Sequence, residues 1–350
     1  MAAPAVTPEF TPAPGLRLLS AAMDTYKRIF VSGPTAHLLS RSNPVRHSGF
    51  DLNLVVDQIT DETVDVLSFT LRAMDGGPLP AWRPGSHLDV FLPSGRQRQY
   101  SLCGDPSDRS SYRIAVRRMV NGDGGSLEMH RALRSGTALR ARGPRNAFTF
   151  VAAPSYLFLA AGIGITPILP MAKAAGSRGQ LIYLGRSRAT MPFLDEVPEA
   201  EVRPDDEFGT PDIAALIARA EPGAAVYVCG PPPVLAAAQA TMFEVNPTGS
   251  LHTERFSALP VTDGRAFDIR LARTGRTVRV GAEETALAAI RRVVPDVVYS
   301  CQQGFCGTCK TRVLTGEVDH RDRTLPQAER ADHMLTCVSR AAGETVVVDL

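Results

Sequence analysis

The segment YSCQQGFCGTCKTRV, residues 299–313, decides the fold of the C-terminal part of the chain. It spaces Cys301, Cys306 and Cys309 as C-x4-C-x2-C, and Cys337 follows 28 positions after Cys309. Plant-type ferredoxins hold a [2Fe-2S] cluster with cysteines at this spacing. Glycines within the loop permit sharp bends and leave amide N–H groups that can hydrogen-bond sulfur. The segment therefore predicts these four cysteines as cluster ligands.

A structural zinc site is the alternative for four cysteines. Such sites usually show paired C-x2-C motifs, whereas this chain contains one. The spacing therefore favours the cluster. A [2Fe-2S] cluster accepts a single electron, at roughly −400 mV in the plant type, so another group must load it.

Length and composition predict a soluble protein of several domains. A chain of 350 residues exceeds one typical domain, and 44% hydrophobic residues suffice for sizeable cores. The 38 basic and 36 acidic residues are interspersed, so no basic cluster indicates nucleic-acid binding. The longest apolar stretch, residues 157–172, is broken by glycines and prolines, so we expect no membrane-spanning helix.

The N-terminal sequence MAAPAVTPEFTPAPG, residues 1–15, has no basic segment before a hydrophobic run, so we expect no secretory signal. We therefore expect a cytoplasmic location, where reduced thiols suit metal ligation better than disulfides. Apolar residues at helical spacing between Leu19 and Phe30 predict one amphipathic helix. That helix either docks a partner or packs on its own domain.

Changes in hydrophobic period divide the chain into domains. Short alternating runs predict an antiparallel β-barrel, and buried runs that alternate with Ala-rich helices predict an α/β domain with a parallel sheet. Alternation returns in a final α+β domain. The predicted divisions are a partly disordered extension at 1–47, the barrel at 48–150, the α/β domain at 151–256, a linker at 257–266 and the α+β domain at 267–350.

The segment RQRQYSLCGDP, residues 96–106, is a candidate flavin strand. Arg98 supplies a forked cation for phosphate, Tyr100 an aromatic face for the isoalloxazine, and Ser101 a hydroxyl near the reactive N5. Leu102 continues the same strand. Taken alone, the motif is weak, and an edge strand that carries a surface arginine explains it better. The neighbouring Cys103 fits no ligand spacing and is expected to be a small packed residue.

The segment NGDGGSLEMH, residues 121–130, supports the flavin interpretation. Gly124, Gly125 and Ser126 open a helical stretch and would present backbone N–H groups and a helix dipole to a phosphate.

The segment YLFLAAGIGITPILPMAKAA, residues 156–175, predicts a buried strand, a glycine turn and a helix. Gly162 and Gly164 allow the backbone to approach a pyrophosphate, and Thr166 and Pro167 follow at the start of the helix. The pattern departs from the Rossmann G-x-G-x-x-G motif because a proline occupies the last position.

Two further segments support a nicotinamide site. In AVYVCGPPP, residues 225–233, a buried strand ends at Cys229, Gly230 and Pro231, and ligands of α/β sheets bind at this edge. Cys229 either fills the strand end or lines the nicotinamide pocket.

After the strand QLIYLG, residues 180–185, come Arg186, Ser187 and Arg188, which could reach the adenosine ribose. The two arginines leave the preference between NADH and NADPH open.

The order of these motifs resembles the phthalate dioxygenase reductase family, which includes vanillate demethylase reductases. The resemblance covers residues 48–350 and implies an FMN-binding barrel, an NADH-binding domain and a C-terminal ferredoxin-like (β-grasp) domain. It implies FMN contacts at Arg98, Tyr100, Ser101, Gly125 and Ser126, and NADH contacts at Gly162, Thr166, Arg186, Cys229, Gly230 and Pro231.

The family also has a Glu-x-Phe motif after the nicotinamide domain, and TERFSA offers Glu254 and Phe256. The resemblance implies that Phe256 shields the flavin, although an ordinary buried phenylalanine explains the residue equally well. The N-terminal extension departs from the family pattern and leaves the oligomeric state open.

Together these features predict an NADH-dependent reductase. Hydride passes from NADH to FMN near Ser101, with Cys229 and Phe256 at the reaction site, and single electrons leave through the cluster. The family implies a Rieske-type oxygenase component as acceptor, with a cytochrome P450 as the alternative. A non-enzymatic interaction protein that carries a cluster or zinc is the alternative of a different class.

Overall fold

The computed structural model of the chain describes residues 50–120, 124–295, 297–299, 301–304, 306–322 and 324–350. The chain divides into two compact units, Met1–His47 and Ser48–Leu350. The predicted amphipathic helix lies outside the described residues. In the parts of the second unit described above, no helix is long and apolar enough to cross a membrane.

A six-stranded antiparallel sheet comes first along the chain, in the strand order β4-β3-β6-β1-β2-β5. An isolated antiparallel bridge between Leu102 and Ile114, just beyond β4, brings the two edges of this sheet together. Alternate side chains point inward and form an apolar core, as the period of two predicts. The elements are β1 (Phe50–Thr63), β2 (Val66–Ala73), β3 (Ser86–Phe91), β4 (Gln97–Ser101), β5 (Tyr112–Arg117), helix α1 (Gly125–Ala132) and β6 (Ala138–Asn146).

A five-stranded parallel sheet follows, in the order β11-β10-β7-β8-β9. The run YLFLAA is apolar throughout because its side chains enter two different cores on the two faces of the sheet. The elements are β7 (Tyr156–Ala161), α2 (Ile165–Ala175), β8 (Gly179–Gly185), β9 (Glu201–Pro204), α3 (Asp205–Phe208), α4 (Ile213–Ile217), β10 (Ala225–Cys229), α5 (Pro232–Val245) and β11 (Ser250–Glu254).

The C-terminal part combines a mixed five-stranded sheet, in the order β13-β12-β18-β14-β16, with a two-stranded one, β15-β17. The Thr285 hydroxyl caps helix α6, whose apolar side chains pack on the sheet. The elements are β12 (Phe267–Leu271), β13 (Thr277–Val280), α6 (Ala286–Arg291), β14 (Lys310–Thr315), β15 (Val318–Asp319), β16 (His333–Leu335), β17 (Arg340–Ala341) and β18 (Thr345–Val348). The predicted architecture of barrel, parallel sheet and α+β module is thus confirmed.

Two arginines fasten the segment between the second and third sheets. Arg321 donates hydrogen bonds to the carbonyl oxygens of Thr262 and Asp263, at 2.6 and 3.3 Å. The nearly fully buried Arg340 donates to the carbonyl oxygen of Arg265 at 2.9 Å, and also to those of Gly281 and Glu284. Residues 262–265 are therefore hydrogen-bonded to the α+β module through their carbonyl oxygens.

Candidate functional site

Strand β4 and the start of helix α1 form a cradle suited to a phosphate. Arg98 lies directly against Gly125, because a Cβ atom at Gly125 would come within 2.3 Å of the Arg98 Nε. Gly124 caps the helix with a left-handed backbone, at φ +88°. A guanidinium beside a helix N-terminus offers charge and N–H donors to an anion, so these residues fit the phosphate of a flavin.

The other residues of the predicted flavin strand divide between the cradle and the core. Tyr100 is half-buried and packs on the barrel core, and Ser101 is buried opposite His87 in the β3–β4 ladder. Leu102 is fully buried in that core. Ser126 accepts a hydrogen bond from the Met119 amide through its hydroxyl, at 3.0 Å, which ties α1 to the end of β5.

The expectation for Cys103 is confirmed. Its side chain is buried in the core below the parallel sheet, and burial raises the pKa of its thiol to about 12. The thiol is therefore protonated and packed, as expected for a structural cysteine.

The carboxyl edge of the parallel sheet forms the candidate nucleotide site. Strand order reverses at β7, because β8 lies on one side of it and β10 on the other. Ligands of α/β sheets bind in the crevice at such a reversal. The glycine turn after β7 contacts the turn after β10, since a Cβ atom at Gly164 would lie 2.2 Å from the Cys229 carbonyl oxygen. A Cβ atom at Gly230 would likewise lie 2.7 Å from the Ala161 Cβ atom.

Substitution of Gly164 by alanine should weaken nucleotide binding at this edge. The new Cβ atom would meet backbone atoms, which cannot rotate away as a side chain can. We expect the KM for the nicotinamide nucleotide to rise about tenfold, the scale of a modest overpacking penalty. Steady-state kinetics with a one-electron dye measure it. Gly281→Ala, whose Cβ atom would make only ordinary contacts, is the control. An unchanged KM would show that this contact does not shape the nucleotide site.

The remaining predicted nucleotide residues line the same edge. Thr166 is buried at the start of α2 and donates its hydroxyl hydrogen to the Ile163 carbonyl, at 3.0 Å. Pro167 is buried in the first turn of α2, and Pro231 caps α5. The turn begins at Gly162 with a left-handed backbone, at φ +54°.

The residues after β8 differ in how their polar groups are engaged. Arg188 forms a two-pronged ion pair with Glu207, at 2.7 and 3.0 Å, so its charge is compensated. The carbonyl oxygen of Arg186 accepts a hydrogen bond from the Asp206 amide. The hydroxyl oxygen of Ser187 lies 3.4 Å from the hydroxyl oxygen of Thr190.

Two buried acidic groups stand side by side at the end of the sheet. Cys229 and Glu254 are register partners in β10 and β11. Burial raises the pKa of the Cys229 thiol well above its usual range, and the Glu254 charge raises it further. Burial also raises the pKa of Glu254 to about 8. Phe256, two residues beyond, is 52% exposed and is therefore not the buried core residue of the alternative interpretation.

Glu254 should make the stability of the protein depend on pH. Its ordinary pKa is 4.5, so between about pH 4.5 and 8 the folded chain keeps a proton that the unfolded chain has lost. Stability should therefore fall as pH rises through this window, by at most about 1.4 kcal/mol per pH unit. We expect Glu254→Gln to flatten this dependence in thermal unfolding between pH 5 and 8. The exposed Glu344→Gln is the control, and parallel curves for Glu254→Gln and wild type would contradict the prediction.

The four cysteines of the C-terminal module come together. The Cys337 thiol is in hydrogen-bond contact with those of Cys301 and Cys309, and Cys306 is in contact with Cys301. The contact with Cys337 holds the pKa of Cys309 below its ordinary value, and contact with Cys301 raises the pKa of Cys306.

Backbone amides of the cysteine loop point at sulfur. The amide of Cys301 lies 3.5 Å from the Cys306 Sγ, and that of Gln303 lies 3.4 Å from the Cys301 Sγ. Gly304 and Gly307 take left-handed conformations, at φ +77° and +71°. Four clustered thiols with amide donors fit a [2Fe-2S] cluster.

Among the residues that the structure describes, no group of three or more His, Cys, Asp or Glu side chains is placed to hold one metal ion. A zinc site gathers four ligands around one ion, whereas a two-iron cluster divides its ligands between two irons. The choice of the cluster over zinc rests on the cysteine spacing, which is that of plant-type ferredoxins.

Sequence reasoning missed a group of buried polar residues next to these sites. His87, Asp89, Gln99 and Arg145 lie on β3, β4 and β6 beneath the cysteine loop, and all but the half-buried Gln99 are buried. The available signal was that polar residues alternate in β3 and β4 with the period of a strand face.

Comparisons with known proteins agree with this arrangement. Residues 269–342 match the family model of the 2Fe-2S iron-sulfur cluster binding domain. The chain is 36% identical to phthalate dioxygenase reductase of Burkholderia cepacia, over 82% of this chain and 93% of that protein. It is 37% identical to the tert-butanol monooxygenase / tert-amyl alcohol desaturase reductase subunit of Aquincola tertiaricarbonis, over 85% and 96% of the two chains.

Solved structures give the same result. A phthalate dioxygenase reductase, described as a modular structure for electron transfer from pyridine nucleotides to [2Fe-2S], superimposes with a TM-score of 0.66 at 34% identity, over 86% of this chain and 98% of that one. An intact type IV self-sufficient cytochrome P450 monooxygenase gives a TM-score of 0.67 at 40% identity, over 91% of this chain and 44% of that one.

Proposed function

The chain belongs to the phthalate dioxygenase reductase family, and from that premise we propose that it oxidises NADH, holds FMN and reduces the oxygenase component of a Rieske-type system. Its relatives are reductase subunits of oxygenase systems, so it is a flavin and iron-sulfur oxidoreductase that serves an oxygenase. The observation that carries the proposal is one compact unit with a phosphate cradle, a glycine-lined sheet edge and a cluster of four thiols. When bound, the flavin splits a hydride into single electrons and the cluster passes them on.

The choice of FMN over FAD follows from the family resemblance. The Arg98 guanidinium and the helix N-terminus at Gly125 would hold the flavin phosphate. Mass spectrometry of the flavin released by denaturation tests this choice. Release of FAD would contradict it.

We propose that the reaction site lies between strand β4 and the carboxyl edge of the parallel sheet. We assign the Ser101 hydroxyl to the flavin N5. We assign the backbone of Cys229, whose side chain fills the strand end, to the floor of the nicotinamide pocket. The exposed ring of Phe256 covers the flavin face until the nicotinamide takes its place. Because the Cys229 thiol is buried and protonated, its part is to shape the pocket rather than to react.

The ion pair between Arg188 and Glu207 supports NADH as the donor. A 2′-phosphate would gain little from a guanidinium already neutralised by a carboxylate and would be repelled by that carboxylate. Comparison of kcat/KM for NADH and NADPH tests the preference. Equal values would refute it.

The acceptor is the part of the proposal that has a second candidate. The 40% identity to a self-sufficient P450 favours a P450 as the alternative partner. Mixing the NADH-reduced protein with a Rieske oxygenase component or a P450 haem domain, and following acceptor reduction, separates the two. We expect the Rieske component to be reduced faster, and faster P450 reduction would reverse the assignment.

A further inference from the structure

Strand β4 is joined to the cysteine loop by a buried reciprocal pair of hydrogen bonds. The Gln97 side-chain amide donates to the Tyr299 carbonyl oxygen at 2.7 Å. In return, the Tyr299 hydroxyl donates to the Gln97 carbonyl oxygen at 3.1 Å. Both residues are buried, although they lie 202 positions apart in the chain. A pair of this kind fixes both distance and orientation because neither residue can rotate without losing a partner.

The two partners stand next to the residues that hold the two redox groups. Gln97 immediately precedes Arg98 of the phosphate cradle, and Tyr299 lies two positions before Cys301. The reciprocal pair therefore links the strand that binds the flavin to the loop that binds the cluster.

A second contact holds the same loop farther along. The Arg145 Nη1 lies 3.4 Å from the hydroxyl of Thr308, which stands between Cys306 and Cys309. Arg145 is itself fixed by an ion pair with Asp89 at 2.7 Å, in which both side chains are almost fully buried. The Gln99 side-chain amide lies 2.9 Å from Asp89 and 3.1 Å from the His87 ring, so the barrel side of this contact is a connected polar layer.

Tyr299 is equally well fixed on the side of the C-terminal module. The Arg291 guanidinium stacks over its ring, with 4.3 Å to the ring centroid. The ring also packs in one apolar cluster with Cys309 and Cys337. A movement of Tyr299 would therefore also displace Cys309 and Cys337, two of the proposed cluster ligands.

We propose that Gln97 and Tyr299 are positioning residues that keep the cysteine loop docked on the flavin strand, so that the cluster is loaded in this arrangement without movement of the C-terminal module. The proposal rests on the proposed function, since it needs a flavin at Arg98 and a cluster at the cysteines. Each transfer oxidises the flavin by one electron and reduces one cluster iron from ferric to ferrous. The contacts described above hold the cysteine loop against the flavin strand before any electron transfer, so the two do not have to meet by diffusion of the C-terminal module.

Two conservative variants test the pair. Gln97→Met keeps the volume and removes the amide donor, and Tyr299→Phe removes only the hydroxyl. Hydrogen exchange of residues 301–309 in the loaded protein should accelerate about tenfold in each, the scale of losing one buried hydrogen bond. The double variant should accelerate exchange more than either single one, because Gln97→Met removes the bond to the Tyr299 carbonyl oxygen and Tyr299→Phe removes the bond to the Gln97 carbonyl oxygen. Gln327→Met, at an exposed position, is the matched control.

Stopped-flow absorbance supplies the second measurement. NADH should bleach the flavin at the wild-type rate in both variants, while bleaching of the cluster should slow about tenfold. Exchange and cluster reduction that both match wild type would overturn the proposal, as would an equal slowing of flavin and cluster. If Gln97→Met lowers the flavin content through its neighbour Arg98, the exchange and bleaching rates of Tyr299→Phe alone test the proposal. Failure of NADH to bleach the flavin of the wild type would reject the proposed function, whereas the exchange result would still test the contact.

Discussion

Replacement of Cys306 by serine should separate the activity that needs only the flavin from the activity that also needs the cluster. We expect NADH-driven reduction of ferricyanide to continue, because that dye can take electrons from the flavin. Reduction of cytochrome c should fall by about 100-fold or more, since loss of a metal ligand removes more affinity than loss of the hydrogen bonds around it. Spectrophotometric assay of both dyes on one preparation measures the ratio.

The control for this variant is another buried cysteine that lies outside the loop. Cys103 packs in the core below the parallel sheet, so Cys103→Ala should keep the visible spectrum of the cluster and both dye activities. If Cys306→Ser retained cytochrome c reduction, the flavin would not need the cluster, and the proposed order of carriers would be wrong.

Substitution of Gly125 by alanine should weaken flavin binding without preventing the protein from folding. The new Cβ atom would stand 2.3 Å from the Arg98 Nε, so the guanidinium has to move away from the helix N-terminus. A flexible side chain can move at low cost, so the barrel should fold normally. The flavin phosphate, however, would lose a charge-assisted hydrogen bond, and we expect FMN to bind about 10- to 100-fold more weakly.

Flavin content per protein and titration of the apoprotein with FMN measure this effect. Gly343→Ala, whose Cβ atom would meet nothing within 4 Å, is the control and should bind flavin as the wild type does. Arg98→Lys keeps the charge but loses the fork, so it should weaken binding less than Gly125→Ala. Full flavin content in Gly125→Ala would remove this cradle as the phosphate site.

The meeting of the four cysteines and the three-module fold could be predicted because their signals are local. Four cysteines at a fixed spacing, a change of hydrophobic period and a glycine turn after a buried run are each visible within a short segment. The assignments of individual residues to FMN and NADH stay predictions, since they came largely from the family resemblance.

Contacts between residues far apart in the chain, or in different elements, were beyond the reach of such signals. Gln97 and Tyr299 are 202 positions apart, and the ion pair of Arg188 with Glu207 joins the segment after β8 to helix α3. No local pattern indicates that Gln97 would be buried, because a glutamine in a strand is more often exposed. The open choice for Cys229 depended on burial in the same way, and the structure shows a side chain fully buried at the strand end.

The fastening of residues 262–265 by Arg321 and Arg340 bears on how the C-terminal module can be cut and transplanted. An excision that starts at Phe267 would remove the carbonyl oxygens of Thr262, Asp263 and Arg265, and the buried Arg340 would lose one of its three acceptors. The unit of exchange is therefore longer than its first strand suggests, and a chimaera joined upstream of Thr262 keeps every one of these bonds.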